Sequence, residues 1–472
     1  MLYHSTAAAG GSTAVSGTIA IPPGTPPAGG WPVITWTHGT TGLAPVCAPS
    51  RDTPTGPEHA YLAGLRTLLD GFVARGYAVV ATDYEGLGTP EPHPFLQGRP
   101  NAWNALDMLR AARRVEPNLG TRYAVLGHSQ GGHAALFTGA LGPDYLPEFT
   151  HVGTLAFAPG SQIMGRLDAV RQAAGVELSL PYVLYVLQSY AGTNRAINLT
   201  KILAPAALPH LPDLHVGCMT HALTTGYWST AIAKDQFLPA PDLTAFRKMA
   251  AENEPGSLRI AAPTMIMQGT ADRTVPPGWT DSLAGQLCAN GTGLAYRPVA
   301  GRDHNGVMVG GAEEAHAWVA ARFAGEVAAS NCAALPKAGA EPPGRSGLDR
   351  PWQGKPRQAG GRQQAIQPMP LPRHGGEAGH DRHDVIGQAF RRVRPGRGDE
   401  AADRLLGGGG DGAGGLPRLG VVAARALDDQ AAGGGRIGGV AAGGLLQQGG
   451  QGLGHRAAGP QDLGQGRPSA AL

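Results

Sequence analysis

Short apolar runs of strand length alternate with amphipathic runs of helix length from the start of the chain to about Cys332. Residues Thr13–Pro22 alternate apolar and polar positions and break at Pro-Pro-Gly, which predicts an early antiparallel strand. Trp31–Thr37, Tyr77–Thr82, Thr121–Leu126 and Val152–Ala158 are apolar on both faces, as buried strands require. Helices are predicted over Glu58–Arg75, Asn101–Val115 and Gly132–Ala140; in the second, Ala102, Leu106, Leu109 and Ala112 recur at helical spacing. Between residues 160 and 255 the alternation stops, and Leu-, Tyr- and Ala-rich sequence such as Val176–Leu187 predicts an inserted helical cap. The rhythm then returns with strands Pro263–Gln268 and Leu294–Val299 and helices Trp279–Ala289 and Ala312–Phe323. This order predicts an α/β fold with a mostly parallel sheet and helices on both faces. The expected α/β domain spans residues 1–336, with the helical cap at about 160–255.

Composition changes after that point. Residues 1–336 hold 20 Lys+Arg against 23 Asp+Glu, while residues 337–472 hold 18 against 12, so the net charge of +3 averages a weakly acidic part and a basic one. The later segment also holds 34 of the 73 glycines and only two aromatics, Trp352 and Phe390. Such sequence cannot bury enough apolar surface to offset chain entropy, so 337–472 is expected to be a low-complexity, disordered tail. Its basic charge suits nucleic acid or another anionic surface, but it lacks aromatics for stacking on bases, and no nucleic-acid partner is expected.

Four cysteines, Cys47, Cys218, Cys288 and Cys332, form no C-x-x-C pair, which argues against a zinc or redox site; no metal or cofactor is expected. An even, widely spaced set suits two disulfides, with three pairings open, and disulfides imply export. Met1–Thr6 shows no basic start or apolar core of a signal peptide. Either the thiols are free in the cytosol, or a leader precedes the start of this chain. No apolar run is long enough to span a membrane as a helix.

The candidate chemistry centres on Gly127-His128-Ser129-Gln130-Gly131, between a predicted strand and a predicted helix. A G-x-S-x-G in that setting is a nucleophile elbow: the turn is too sharp for side chains at the glycines, and it lifts the serine hydroxyl above the sheet. A serine needs a base to take its proton and a carboxylate to hold the base in the right tautomer. Asp272, in Gln268-Gly269-Thr270-Ala271-Asp272, and His304, in Gly301-Arg302-Asp303-His304-Asn305-Gly306, each follow a predicted strand in the order this chemistry uses. Asp303 competes for the acid role but adjoins His304 in sequence. Two backbone amides are needed for an oxyanion. The elbow offers that of Gln130, and the His38-Gly39-Thr40-Thr41 loop offers Thr40, with Thr41 as the alternative. His38, His128 and His133 are expected to be structural.

Taken with Thr37-His38-Gly39-Thr40-Thr41-Gly42, Cys47-Ala48-Pro49-Ser50 and Asp83-Tyr84-Glu85-Gly86-Leu87-Gly88, these motifs resemble the secretory lipase family of the α/β-hydrolase superfamily over about residues 1–335. The resemblance implies Ser129, Asp272 and His304 as the triad, a helical cap, and disulfides Cys47–Cys218 and Cys288–Cys332. It also implies secretion and metal-free hydrolysis of acylglycerols or simpler esters, with transient contact at a lipid interface. The long Gly/Arg-rich tail departs from the family pattern. The expected function is therefore a serine carboxylic-ester hydrolase. Its rivals are a peptidase or amidase built on the same machinery, and a binding protein acting through the basic tail.

Overall fold

The computed structural model describes residues 1–335; the tail expected over 337–472 lies outside them. Eight strands form one sheet: β1 Leu2–Thr6, β2 Ser12–Ala20, β3 Trp31–Thr37, β4 Ala78–Thr82, β5 Leu119–His128, β6 Thr150–Phe157, β7 Thr264–Gly269 and β8 Leu294–Val299. Their spatial order is β1-β2-β4-β3-β5-β6-β7-β8. β2 runs antiparallel to β1 and β4, and every other neighbouring pair is parallel. Parallel neighbours cannot be joined by tight turns, so helices carry the crossovers.

The helices among the described residues are α1 His59–Ala74, α2 Gly98–Val115, α3 Gln130–Tyr145, α4 Ile163–Gln172, α5 Leu180–Thr193, α6 Met219–Thr224, α7 Thr244–Glu252, α8 Pro277–Ala289, α9 Gly306–Gly310 and α10 Ala312–Phe323. Strand side chains alternate between faces, so one strand feeds two cores. Ile34 and Trp36 of β3 pack with Leu65, Leu68 and Phe72 of α1 and with Val307 and Val319 of α9 and α10. Val33, one residue out of phase, packs with Val80 and with Leu106, Leu109 and Ala112 of α2. On the other half of the sheet, Leu136 of α3 and Leu283 and Leu287 of α8 close over Ala156 and Ile266. Each large apolar side chain fully buried this way contributes about 1.5–3 kcal/mol.

Helices α4 to α7 lie in the chain between β6 and β7 and hold a core of their own, centred on Leu184, Tyr185, Tyr190, Trp228 and Phe246. Phe95, from the loop before α2, packs into that core and joins it to the sheet side.

Two elements depart from the sequence expectation. β1 pairs with β2, Leu2 opposite Ser16 and Tyr3 opposite Val15. Five residues at the chain start are too few to show a period, and the strand is held from outside: the Tyr3 hydroxyl donates to the Asn104 carbonyl at 2.9 Å. α9 occupies what reads as a Gly-rich loop. It forms because Asp303 Oδ1 accepts the Gly306 N–H at 2.7 Å and because Val307 and Met308 are buried.

Cys47 pairs with Cys218 and Cys288 with Cys332, and no cysteine is free. The first bond ties the loop after β3 to the start of α6; the second ties the end of α8 to the segment after α10. Their sequence separations are 171 and 44 residues. Loop-closure entropy makes the longer bridge worth about 1 kcal/mol more, within a typical loss of about 2–5 kcal/mol for either. Urea denaturation of the Cys47→Ala/Cys218→Ala protein should therefore show the larger loss of the two double variants. The reverse order would contradict this.

Candidate active site

Ser129 sits between the end of β5 and the start of α3 with φ 58° and ψ −118°, a strained conformation for a residue with a side chain. Three main-chain hydrogen bonds hold it. Ser129 N–H donates to Phe157 C=O at 2.9 Å, and Ser129 C=O accepts from His133 N–H at 3.0 Å and from Gly160 N–H at 2.9 Å. The two glycines of the elbow are required by closeness. A Cβ on Gly127 would collide with the Gly131 carbonyl and Thr37 Oγ1, and one on Gly131 with the Thr37 carbonyl. Thr37 Oγ1 also faces Leu126 and Gly131, whose carbonyls accept from it at 3.0 and 2.8 Å. The N-terminus of α3, with its partial positive charge, is thereby aimed at the space beside Ser129.

Asp272 lies just past β7 and His304 past β8. His304 Nδ1 donates to Asp272 Oδ2 at 2.8 Å, the tautomer following from the carboxylate being an acceptor. Gln268 Nε2 donates to the same oxygen at 3.0 Å. The amides of Thr274 and Val275 donate to Oδ1 at 2.8 and 2.9 Å. Burial pushes the Asp272 carboxyl up, but His304 and these donors outweigh it and hold it below its ordinary value, as an anion. Asp303 is exposed and engaged by Gly306, away from the imidazole.

Ser129, Thr40 and Gln130 line an apolar pocket with Phe95, Leu96, Ile163, Leu167, Val183, Val186 and Phe246. Ser129, Thr40 and His304 also line a more polar, open cleft with Glu58, Tyr61, Thr220 and Asn305. The serine thus stands between two compartments and shares one of them with the imidazole. No hydrogen bond joins Ser129 Oγ to His304 among the described residues. Thr41, the alternative to Thr40, is fully buried and lines neither compartment.

His38 Nδ1 donates to the Gly39 carbonyl at 2.7 Å. In a trans peptide the next N–H points the opposite way, so this bond sets the direction of the Thr40 amide. Among the described residues, neither the Thr40 nor the Gln130 amide donates to a protein acceptor. The Gln130 side chain donates to His93 Nε2 at 2.9 Å, and His93 Nδ1 donates to the Glu85 carbonyl at 2.8 Å. Arg166 of α4 donates to the Thr274 carbonyl at 2.7 Å and lies over Trp279, which pins the Asp272 loop from the helical insertion. Gln268 belongs to a motif visible in the sequence. Tyr61, His93 and Arg166 carry no such signal, because each is brought in from a distant element.

Comparison with known proteins places a chain of this geometry. Residues 64–331, more than half of its length, match the secretory lipase family. The chain belongs to that family. Lipase 7 of Candida albicans is 33% identical over 88 residues, 18% of this chain and 20% of that protein, so the chain matches about a fifth of the relative's length. Among solved structures, Candida antarctica lipase A in its closed state superposes with a TM-score of 0.58 at 19% identity, covering 71% of this chain and 82% of that one. The ligand-bound rice cell wall degrading esterase LipA from Xanthomonas oryzae gives 0.56 at 21%, covering 68% and 88%. At these identities the likeness carries the fold, that of the α/β-hydrolases.

The buried histidines around the elbow give this chain a pH signature. Burial pushes His93 down to about 3, His133 to about 4, and His128, with help from the neighbouring His304, to about 3. Each is neutral in the folded chain, whereas the unfolded chain protonates them near the ordinary value of about 6.5. Their contribution is therefore complete above that value and lost as pH falls toward the folded values, at about 1.4 kcal/mol per pH unit for each group. Urea unfolding between about pH 7 and about pH 5 should show falling stability and net proton uptake on unfolding. Constant stability over that range would contradict the assignment.

Proposed function

We propose that this chain is a serine carboxylic-ester hydrolase that cleaves acylglycerols or simpler acyl esters through an acyl-enzyme. The observation that supports this best is the Asp272–His304 pair, which shares a cleft with a serine held on a strained elbow. Ser129 Oγ attacks the ester carbonyl while His304 Nε2 takes its proton. The Oγ–Nε2 hydrogen bond closes when substrate binds, as catalytic hydrogen bonds commonly do. Negative charge on the former carbonyl oxygen is met by the Thr40 and Gln130 amides and by the N-terminus of α3. The Asp272 carboxylate stabilises the imidazolium, which then protonates the leaving alcohol. A water activated by His304 releases the acid by the reverse path.

The apolar compartment under the helical insertion suits the acyl chain, and its Phe, Leu, Ile and Val lining keeps water from the tetrahedral intermediate. The polar cleft on the His304 side suits the leaving alcohol. Two disulfides accord with secretion. A transient contact with a lipid interface would bring the substrate, and the helical insertion is the part through which it would enter.

Ser129→Ala should lower kcat on a soluble nitrophenyl ester by about 10⁴-fold or more and abolish covalent labelling by an organophosphonate, with an unchanged unfolding midpoint. Labelling of the variant at the wild-type rate would overturn the proposal. Matched ester and anilide substrates separate it from a peptidase: the ester should be strongly preferred.

A further inference from the structure

Tyr61 and His128 take no part in the acyl-transfer steps, yet they lie between the two halves of the machinery. Tyr61 projects from α1, and its hydroxyl oxygen accepts the Gly39 N–H at 2.8 Å. The same hydroxyl lies 3.1 Å from His128 Nδ1. His128 Nε2 lies 2.9 Å from the main-chain carbonyl of His304. The rings of His128 and His304 are 4.6 Å apart between centroids.

The direction of every link in this hydrogen-bond relay is set. A carbonyl only accepts, so His128 Nε2 carries the proton. In a neutral imidazole Nδ1 is then the acceptor, and the Tyr61 O–H donates to it. The Tyr61 oxygen is left free to accept from Gly39. His128 is 1% exposed and keeps its neutral form, so the polarity does not reverse on mild acidification. At its far end the relay meets the peptide that matters most. Gly39 N–H is held by Tyr61, Gly39 C=O is held by His38, and the following N–H is that of Thr40. There is no slack: a Cβ on Gly39 would meet both the Tyr61 hydroxyl and His128 Nδ1.

We infer that Tyr61 and His128 are positioning residues that hold the His304 loop and the Gly39–Thr40 loop in register across the elbow. The inference rests on the serine-hydrolase reading. Three segments that are distant in sequence must agree in position for one transition state: the base after β8, the nucleophile after β5 and the amide after β3. The sheet sets the strands, but each loop extends beyond it. A hydrogen-bond relay with one allowed direction couples the two outer loops through the residue next to the nucleophile. A misplacement of about 1 Å in such a constellation costs about 10²-fold in rate.

The test uses the full-length enzyme and a soluble short-chain nitrophenyl ester. Tyr61→Phe removes one oxygen, and His128→Gln keeps an amide donor for the His304 carbonyl while cutting the link to Tyr61. Each should lower kcat about 10- to 100-fold. KM should stay within about twofold, because the oxyanion contacts are made in the transition state. The rate of inactivation by an organophosphonate should fall with kcat. The double variant should be no slower than the slower single one, since both cut the same link. Multiplying losses, a change confined to KM, or a Tyr61→Phe enzyme with kcat within about twofold of wild type would overturn the inference. Wild-type labelling at Ser129 with undiminished labelling of Tyr61→Phe would do so while leaving the serine-hydrolase reading intact. Absence of wild-type labelling at Ser129 would remove that reading itself.

Discussion

Two backbones meet at the top of the sheet with no room for a methyl group between them. Gly131, in the first turn of α3, rests on the Thr37 carbonyl at the end of β3, and Gly127 rests on the Gly131 carbonyl. That contact brings the start of α3, the strained Ser129 and the departure of the His38–Thr40 loop into one small volume. An added side chain at either glycine would lift the helix off the strand and separate the Gln130 amide from the Thr40 amide. The strain at Ser129 is tolerated because its own N–H and C=O are bonded on both sides, and the buried first turns of α3 anchor the backbone beyond it.

Around this contact the buried histidines are neutral: both ring nitrogens of His93 and of His128 are hydrogen-bonded, and His133 donates from Nε2 to the Asn253 carbonyl. The two oxygens of Asp272 take four donors, which compensates the burial of the anion. The apolar compartment beside it is built mostly from the helical insertion, whose own core reaches the sheet side through Phe95. The Cys47–Cys218 bridge and Arg166 tie that insertion to the loops after β3 and β7. They limit how far it can move away from them.

Much of this was legible in the sequence, for a physical reason. Buried parallel strands announce themselves as apolar runs, and each run ends where a loop carrying Ser129, Asp272 or His304 begins. The contact between His304 and Asp272 is the one that their order along the chain anticipates. The register of the His38–Thr41 loop was not legible, since it depends on which peptide His38 turns. Tyr61, His93 and Arg166 were invisible because a lone polar residue on an amphipathic helix or in a loop has no periodicity to mark it. β1 and α9 were missed because both are five residues long and owe their form to partners elsewhere in the fold.

Acyl transfer by this route requires one hydroxyl, one imidazole and two amides to converge on a single carbon. A crystal structure of the enzyme inactivated by an organophosphonate measures that directly. The phosphorus should be bonded to Ser129 Oγ, with its free oxygen about 3 Å from both the Thr40 and Gln130 nitrogens and with His304 Nε2 in hydrogen-bond reach of Oγ. A phosphorus on another residue, or an imidazole turned away from Ser129 in that adduct, would contradict it.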